Sequence, residues 1–239
     1  MSTSIQTIPV INLALAFIPV CIVIVIQFRW TKEHGNAIYG VSRMLLQLLV
    51  IGYFLTYIFD SGNAWIVLVV LAAMIFAAGW IGLRTVQHRQ LRLYPKALLA
   101  LAVGGGTTLL FVTQGVLNLT PWYWPSYIIP LAGMIFANGM NSISLAADRL
   151  DAELSRNVEY DTARHIAFRA SLIPITNSLF AVGLVSIPGM MTGQILSGVS
   201  PLIAARYQIM VMCMVYGAAG ISAACFLALV KPQFVKVAA

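Results

Sequence analysis

Long continuous runs of apolar residues, separated by short polar segments, occupy most of the chain. The runs do not alternate with polar residues as a half-buried strand would, and several approach the roughly 20 residues that a helix needs to cross a bilayer. Because lipid gives the backbone no hydrogen-bond partner, such runs predict transmembrane helices. We predict seven spans, at residues 8–28, 39–59, 64–83, 97–117, 124–147, 171–195 and 203–230.

Composition supports an all-α, multi-span membrane protein. Of the 239 residues, 60% are hydrophobic and only 9% are charged, whereas a soluble domain carries about 25% charged residues. So few charges could not cover a water-facing surface, which excludes a soluble enzyme. We expect one transmembrane domain over residues 1–239, and we interpret 8–28 as a retained span rather than a cleaved signal peptide.

The positions of the basic residues predict the orientation. All of the fourteen Lys and Arg except Arg43 and Arg206 fall in four segments: 29–38, 84–96, 148–170 and the tail after 230. Seven spans place these four segments on one side of the membrane. Because basic loops face the cytoplasm, the N-terminus is expected outside and the C-terminus inside. The same rule explains the formal net charge of +7 without invoking nucleic acid.

The residues that catalysis would need are not gathered inside the predicted spans. None of the seven acidic residues lies mid-span, the three histidines fall in predicted loops, and no HExxH, GxSxG or Walker A motif occurs. The three cysteines share no CxxC spacing and are interpreted as small apolar residues. The glycines at 104–106 indicate close helix packing rather than a phosphate site. We therefore predict no catalytic residue and no bound cofactor, which disfavours an intramembrane protease or a proton-relay carrier.

Uncharged polar residues and one helix-breaking sequence mark a candidate translocation path. Such amides and hydroxyls commonly join helices to one another, so packing and a solute path both remain open. Pro188-Gly189 should break or kink the sixth span, and broken backbone at membrane depth must be buried in protein or line a cavity. The neighbouring Met190 and Met191 are weak candidates for soft metal ligands, with apolar packing the commoner role. The candidate path residues are Asn138, Asn141, Thr176, Asn177, Pro188, Gly189, Gln194 and Gln208.

The segment 148–170 carries five acidic and four arginine side chains and has apolar residues at i, i+4 and i+8. This spacing predicts one amphipathic helix outside the membrane. Its mixed charge suits docking to another protein better than to a lipid surface, while a solvated extension of the fifth span is the alternative. The candidate docking residues are Leu150, Asp151, Leu154, Arg156, Val158, Glu159 and Asp161.

Several stretches resemble a known family of transporters. They read IPLAGMI at 129–135, NGM at 138–140, VGLVSIPGMMTGQI at 182–195, SP at 200–201 and YQIMV at 207–211. These are similar to the FetB-type ABC permeases, which are bacterial iron export permeases related to plant permeases of aluminium tolerance. The chain departs from that family at Asn177 and Phe180, where the family has an acid and a lysine.

The resemblance implies a permease in the bacterial cytoplasmic membrane, without an ATPase site of its own. It would form a homodimer and pair with a separate ATPase that binds ATP, with 148–170 as the coupling element and iron or another metal ion as the exported cargo. Two other functions remain open. One is a stand-alone secondary carrier of a small solute. The other is a non-transporting scaffold or sensor that retains the family fold.

Overall fold

The computed structural model describes residues 8–31, 34–60 and 62–235, and the regular secondary structure within these ranges is helical. The all-α membrane architecture is thereby confirmed. Lys32 and Lys236, which contribute to the predicted charge bias, lie outside the described residues. Six helical stretches in the described ranges are long and apolar enough to cross a membrane, and each overlaps a predicted span. They are Val10–Trp30, Gly35–Phe59, Ala64–Gly82, Gln90–Val116, Pro125–Leu154 and Pro201–Lys231.

The chain divides into two compact units, of which the first ends at Ser61. Its helices are α1 (Val10–Leu15), α2 (Phe17–Trp30) and α3 (His34–Asp60). The first two follow one another across Ala16, and α2 packs against α3. The described side chains of α1 and α2 are mostly exposed and apolar, which is the composition expected of a lipid-facing surface.

The second unit begins at Gly62 and contains six α-helices in its described part. The α4 helix begins after Asn63, whose Oδ1 accepts the Trp65 N–H at 2.9 Å, as an N-cap residue does. Prolines begin α6 and α9, where the missing N–H is not needed. A 3₁₀ stretch (Arg84–Arg89) joins α4 to α5, and α5 continues into a π-helical turn, Phe111–Val116. The helices are α4 (Ala64–Gly82), α5 (Gln90–Leu110), α6 (Pro125–Leu154), α7 (Tyr160–Ala181), α8 (Gly189–Leu196) and α9 (Pro201–Val235).

Small residues let the helices of the second unit approach closely. A Cβ atom on Gly104 of α5 would lie 2.5 Å from the backbone nitrogen of Ser222 in α9. One on Gly105 would lie 2.8 Å from the Phe136 ring of α6. Close backbone contact through small residues is the usual basis of helix association in lipid. The predicted packing role of these glycines is confirmed, although Gly106 has nothing within 4 Å of its Cβ position.

The predicted sixth span, 171–195, is not one helix. Its first part belongs to α7, which begins at Tyr160 and ends at Ala181, and its last part forms the short α8. Between them the segment 182–188 is irregular, with Gly183 in the left-handed region at φ +84°. The predicted break is confirmed, but the helix ends seven residues before Pro188, which instead stands at the N-cap of α8.

The predicted amphipathic helix over 148–170 is wrong. The α6 helix continues to Leu154, residues 155–159 form a turn, and α7 starts at Tyr160. Asn157 adopts φ +61°, and an asparagine in the left-handed region is a common way to end a helix. The stripe predicted to dock a partner faces the protein's own core instead: Leu150 is 1% exposed, and Leu154 and Val158 pack against the same core.

The α6 and α9 helices run in the same direction. Tyr127 in the first turn of α6 and Ile203 in the first turn of α9 line one cavity. At the other end, Tyr160, which follows the α6–α7 turn, donates its hydroxyl hydrogen bond to the Leu227 carbonyl near the end of α9. Along the sequence, α7 follows α6 and runs antiparallel to it, so it brings the chain back toward the end where α9 begins. The two helices are in contact where Ser142 Oγ donates to the Ser171 carbonyl at 3.3 Å.

Candidate translocation site

A cavity of about 380 Å³ lies at the break between α7 and α8, and we call it the inner cavity. The helices α6 and α9 and the ends of α7 and α8 enclose it, so both ends of the broken helix reach its wall. Its lining residues are Met134, Asn138, Ile175, Ser178, Val182, Ser186, Pro188, Gly189, Met190, Gln208, Val211, Met212 and Val215.

The inner cavity lies well inside the length of the surrounding helices. At 1.5 Å per residue, Asn138 is about 20 Å along α6 from Pro125, and Gln208 is about 10 Å along α9 from Pro201. The inner cavity is therefore within the length of two helices that are long and apolar enough to cross a membrane. The backbone of the adjacent irregular segment 182–188 is hydrogen-bonded locally, because the Ala181 carbonyl accepts the N–H groups of residues 184–186 at 2.8 to 3.2 Å. A broken helix beside a cavity between spans is typical of transporter binding sites.

Three polar side chains that line the inner cavity have oxygen atoms with free lone pairs. Asn138 uses Nδ2 to donate to the Met134 carbonyl at 2.8 Å, which leaves its Oδ1 available. Ser178 Oγ donates to the Pro174 carbonyl at 3.0 Å and retains its lone pairs. Gln208 is only 5% exposed, and its Oε1 is buried without a hydrogen-bond partner in the described part of the chain. A buried polar atom left without a partner costs stability, so the Oε1 of Gln208 is a candidate contact for a ligand in this cavity.

A second cavity, of about 620 Å³, lies toward the first turns of α6 and α9, and we call it the outer cavity. Met134 of α6 and Met190 of α8 line both cavities and so stand at the boundary between them. Gln194 lines the outer cavity, and its Oε1 too is buried without a hydrogen-bond partner among the described residues. The lining residues are Leu117, Ser126, Tyr127, Pro130, Leu131, Met134, Met190, Gln194, Val199, Ile203, Tyr207 and Met210.

The structure brings together some of the predicted path residues and separates others. Asn138, Pro188, Gly189 and Gln208 line the inner cavity, and Gln194 lines the outer one. Three predicted residues line neither cavity: Asn141 and Asn177 are exposed, and Thr176 is half-buried. Of the two candidate methionines, Met190 lines both cavities and Met191 lines neither.

Several residues that line the cavities were not among the candidates selected from the sequence. Met134, Met210 and Met212 line one or both cavities, but methionine in an apolar run cannot be told from ordinary packing. Ser178 and Ser186 were not selected either. The available signal for Met134 was its position one helical turn before Asn138, which puts the two side chains on the same face of a helix.

At the α6–α7 turn (residues 155–159), a buried carboxylate is held by arginines. Arg149 Nη2 contacts Glu153 Oε1 at 2.7 Å, and Arg156 Nη1 lies 3.8 Å from the same oxygen. The side chain of Glu153 is only 6% exposed, whereas that of Arg156 is 69% exposed. Glu153 was not among the predicted docking residues. Of the predicted residues, Arg156, Glu159 and Asp161 are exposed and Asp151 is half-buried.

The start of α7 is bound to the end of α9. Lys231 Nζ lies 3.1 and 3.2 Å from the two carboxylate oxygens of Asp161, and Arg164 contacts the same carboxylate at 3.4 Å. The ammonium also lies 5.7 Å from the centre of the Tyr160 ring. Burial raises the pKa of Tyr160 to about 12, so its hydroxyl keeps the proton that it donates to Leu227. Asp161 is therefore engaged within the chain.

No group of three or more His, Cys, Asp or Glu side chains in the described ranges could hold a metal ion. Among the described residues that line the inner cavity, none is acidic or basic. The side chains described there can offer a solute amide and hydroxyl groups, thioether sulfurs and apolar surface.

Comparison with known proteins identifies the family. The chain matches the family described as "Uncharacterised protein family (UPF0014)" over residues 10–160 and 158–235. It is 37% identical to the UPF0014 membrane protein slr1647 of Synechocystis, over 80% of this chain and 79% of that protein. It is 34% identical to Protein ALUMINUM SENSITIVE 3 of Arabidopsis thaliana, over 92% and 85%.

A third relative, of Escherichia coli, bears the name "Probable iron export permease protein FetB" and is 32% identical, over 90% of this chain and 89% of that protein. No solved structure matches the chain. The predicted resemblance to this group of permeases is thus confirmed by matches that cover almost the whole chain. The chain belongs to the UPF0014 family of multi-pass membrane proteins.

Proposed function

We propose that this chain is the membrane subunit of an ATP-driven exporter of a metal ion in the bacterial inner membrane. It would work as a homodimer, coupled to a separate cytoplasmic ATPase. The observation that carries the proposal is the pair of adjoining cavities at a broken helix, between helices long enough to cross a membrane. The name of the Escherichia coli relative supports export of a metal.

Seven crossings, with the C-terminus inside, form part of this proposal. Two consecutive long spans, α6 and α9, run in the same direction, so the chain between them has to cross back. The α7 helix has 22 residues, which at 1.5 Å per residue gives about 33 Å, close to the thickness of the hydrocarbon core. Its exposed Arg164, His165 and Arg169 lower its hydropathy, and all three lie in the half of α7 that begins at the proposed cytoplasmic end.

The α6–α7 turn is the element that we assign to ATPase coupling. It connects α6, which lines both cavities, with α7, which ends at the helix break. Its outward side chains Arg156 and Glu159 present both charges to a partner. A displacement of this turn by the ATPase would be transmitted along α7 to segment 182–188, whose backbone is not held in a helix.

The test is charge reversal at the turn, in membranes that contain the chain and the ATPase encoded beside it. We expect Arg156→Glu with Glu159→Lys to lower co-purification of the ATPase and ATP-dependent metal export at least fivefold. Arg206→Glu is the matched control, because Arg206 is an exposed arginine in the first turns of α9, at the opposite end of the bundle. Unchanged complex formation and export in the double variant would overturn the coupling role.

A complementary measurement addresses export itself. Cells that lack the gene should retain more metal than the parent, and the intact gene should restore the parental content. Rescue that fails although the chain is present in the membrane would favour a non-transporting scaffold over a permease.

A further inference from the structure

We propose that the inner cavity binds a soft monovalent cation of the Cu(I) or Ag(I) class. The ligands would be the thioether sulfurs of Met134 and Met190 and the uncharged oxygens of Asn138 and Gln208. The inference rests on the proposed function, because it names the chemical class of the cargo. It also departs from iron, the metal in the name of the Escherichia coli relative.

The first argument is the oxygen atoms of the polar lining residues. Asn138 and Ser178 each donate to a backbone carbonyl of their own helix and keep oxygen lone pairs for a ligand. The buried Oε1 of Gln208 is an acceptor with no partner in the described chain. Oxygen lone pairs of three lining side chains are ligands that a cation can use.

The second argument is the sulfur. Met134 and Met190 stand at the boundary of the two cavities, and Met212 lines the inner one as well. Thioethers are soft ligands that select Cu(I) and its congeners, whereas carboxylates and water suit hard ions. Apolar packing alone explains methionine in a helix, but it does not explain thioethers beside an unpartnered amide oxygen.

The third argument is charge. The described residues of the inner cavity include no acidic side chain, so the ligand set has no formal charge to offset that of the ion. The cost of taking an ion out of water grows with the square of its charge. Uncharged oxygens and sulfurs can therefore replace the hydration of a monovalent ion far more readily than that of a divalent or trivalent one, as carbonyl oxygens do for monovalent ions in channels.

The helix ends do not reverse this preference. Gly189 at the start of α8 brings the positive end of a short helix dipole to the cavity, and Val182 at the end of α7 brings the negative end of a longer one. The two partial charges oppose each other, so the side-chain ligands determine whether the cavity prefers a cation or an anion.

The experiment uses Ag⁺ as a redox-stable probe for this class. The full chain is reconstituted in nanodiscs, with Cys21, Cys213 and Cys225 replaced by alanine so that thiolates do not dominate binding. Titration calorimetry should show that Met134→Leu with Met190→Leu weakens the tightest Ag⁺ site at least tenfold. Met191→Leu is the matched control, because Met191 neighbours Met190 on α8 and lines neither cavity; it should bind as the parent does.

A second readout identifies the atoms that bind the ion. X-ray absorption at the silver edge should show sulfur neighbours in the parent, and these should decrease in the double variant but not in the control. Equal Ag⁺ affinity in the parent and the double variant, or a silver spectrum without sulfur, would overturn the inference.

The two proposals fail separately. If the chain exports iron but does not bind Ag⁺, the proposed export function stands and the proposed class of cation is refuted. If the chain binds Ag⁺ through sulfur but exports no metal together with its ATPase, the export function is refuted and the cation site stands.

Discussion

Arg149 and Glu153 form an ion pair in which Nη2 and Oε1 are 2.7 Å apart, one helical turn from each other near the end of α6. The arginine side chain is 44% exposed, but the carboxylate is almost completely buried. A carboxylate removed from water needs a partner in order to stay ionised. The pair therefore fixes the last turn of α6, immediately before the turn that we assign to coupling.

Replacement of Arg149 by methionine should destabilise the protein. The Glu153 carboxylate would lose its closest partner, which costs about 1–3 kcal/mol and lowers Tm by about 2–4 °C per kcal/mol in a chain of this size. Thermal unfolding of the purified protein measures the change. The double variant Arg149→Met with Glu153→Met should recover most of it, because no buried charge remains.

Arg169→Met is the control for that experiment, since Arg169 is exposed and forms no ion pair within the described ranges. It should leave Tm within about 1 °C of the parent, as most exposed substitutions do. A double variant less stable than Arg149→Met alone would contradict the assignment.

Gly104 should tolerate no larger side chain. The Cβ atom of an alanine would lie 2.5 Å from the nitrogen and 2.8 Å from the Cα of Ser222, and backbone atoms cannot rotate away. We expect Gly104→Ala to cost about 1–3 kcal/mol through overpacking, measured as a lower Tm. Gly106→Ala is the matched control, because its Cβ position has nothing within 4 Å; it should be neutral or slightly stabilising, since alanine favours the helix.

The Ser222 hydroxyl should be dispensable for stability. It is completely buried, and its Oγ has no hydrogen-bond partner in the described part of the chain. Removing an unsatisfied hydroxyl removes its desolvation cost, so Ser222→Ala should leave Tm unchanged or raise it. A fall of more than about 3 °C, roughly 1 kcal/mol, would mean that the hydroxyl has a partner that stabilises the fold.

Tyr160 should make stability depend on alkaline pH. Its pKa is raised from 10.0 to about 12 by burial, so the neutral phenol is favoured in the folded state. The contribution is complete below pH 10 and is lost as the pH rises from 10 through about 12. At pH 8 we expect Tyr160→Phe to cost about 1 kcal/mol for the lost hydrogen bond to Leu227.

Thermal unfolding of parent and variant at pH 8, 10 and 11.5 tests the pH dependence. The advantage of the parent should shrink across the upper two values. An advantage that grows with pH would show that the phenol ionises more readily in the folded protein than in the unfolded chain.

Part of this fold was predictable because six spans are continuous apolar runs, and lipid permits only one structure for such runs. The bounds of α7, which we propose as a further crossing, were not predictable, because its first half carries Arg164, His165 and Arg169 and so falls below the hydropathy of a span. The end of α7 at Ala181 has no proline to mark it. It depends on local backbone hydrogen bonds to the Ala181 carbonyl that composition does not reveal.

The sequence indicated which polar residues could line a path, but not which of them lie around the same cavity. Asn138 and Asn141 are both amides about one turn apart in the same span, yet only Asn138 lines the inner cavity and Asn141 is exposed, a difference that helical spacing does not predict. The stripe of Leu150, Leu154 and Val158 has the correct helical period as far as Leu154. It faces the core because the chain turns at Asn157 and folds back.

Gln208→Glu should change the ion that the inner cavity prefers. The substitution keeps the length of the side chain and places a carboxylate where an uncharged Oε1 is buried without a partner among the described residues. An anionic oxygen favours hard divalent ions over soft monovalent ones. In nanodiscs we expect Mn²⁺ affinity to rise at least tenfold, while Ag⁺ affinity changes less.

Mn²⁺ binding by this variant should also weaken at lower pH, because a buried carboxyl group resists ionisation and has to lose its proton to bind the metal. Gln194→Glu is the matched control: it introduces the same charge in the outer cavity, where Asn138 and Ser178 contribute no oxygen. A gain in Mn²⁺ affinity equal to that of Gln208→Glu would mean that a carboxylate anywhere along the path suffices. A gain confined to Gln208→Glu would show that the oxygens of the inner cavity act together on one ion.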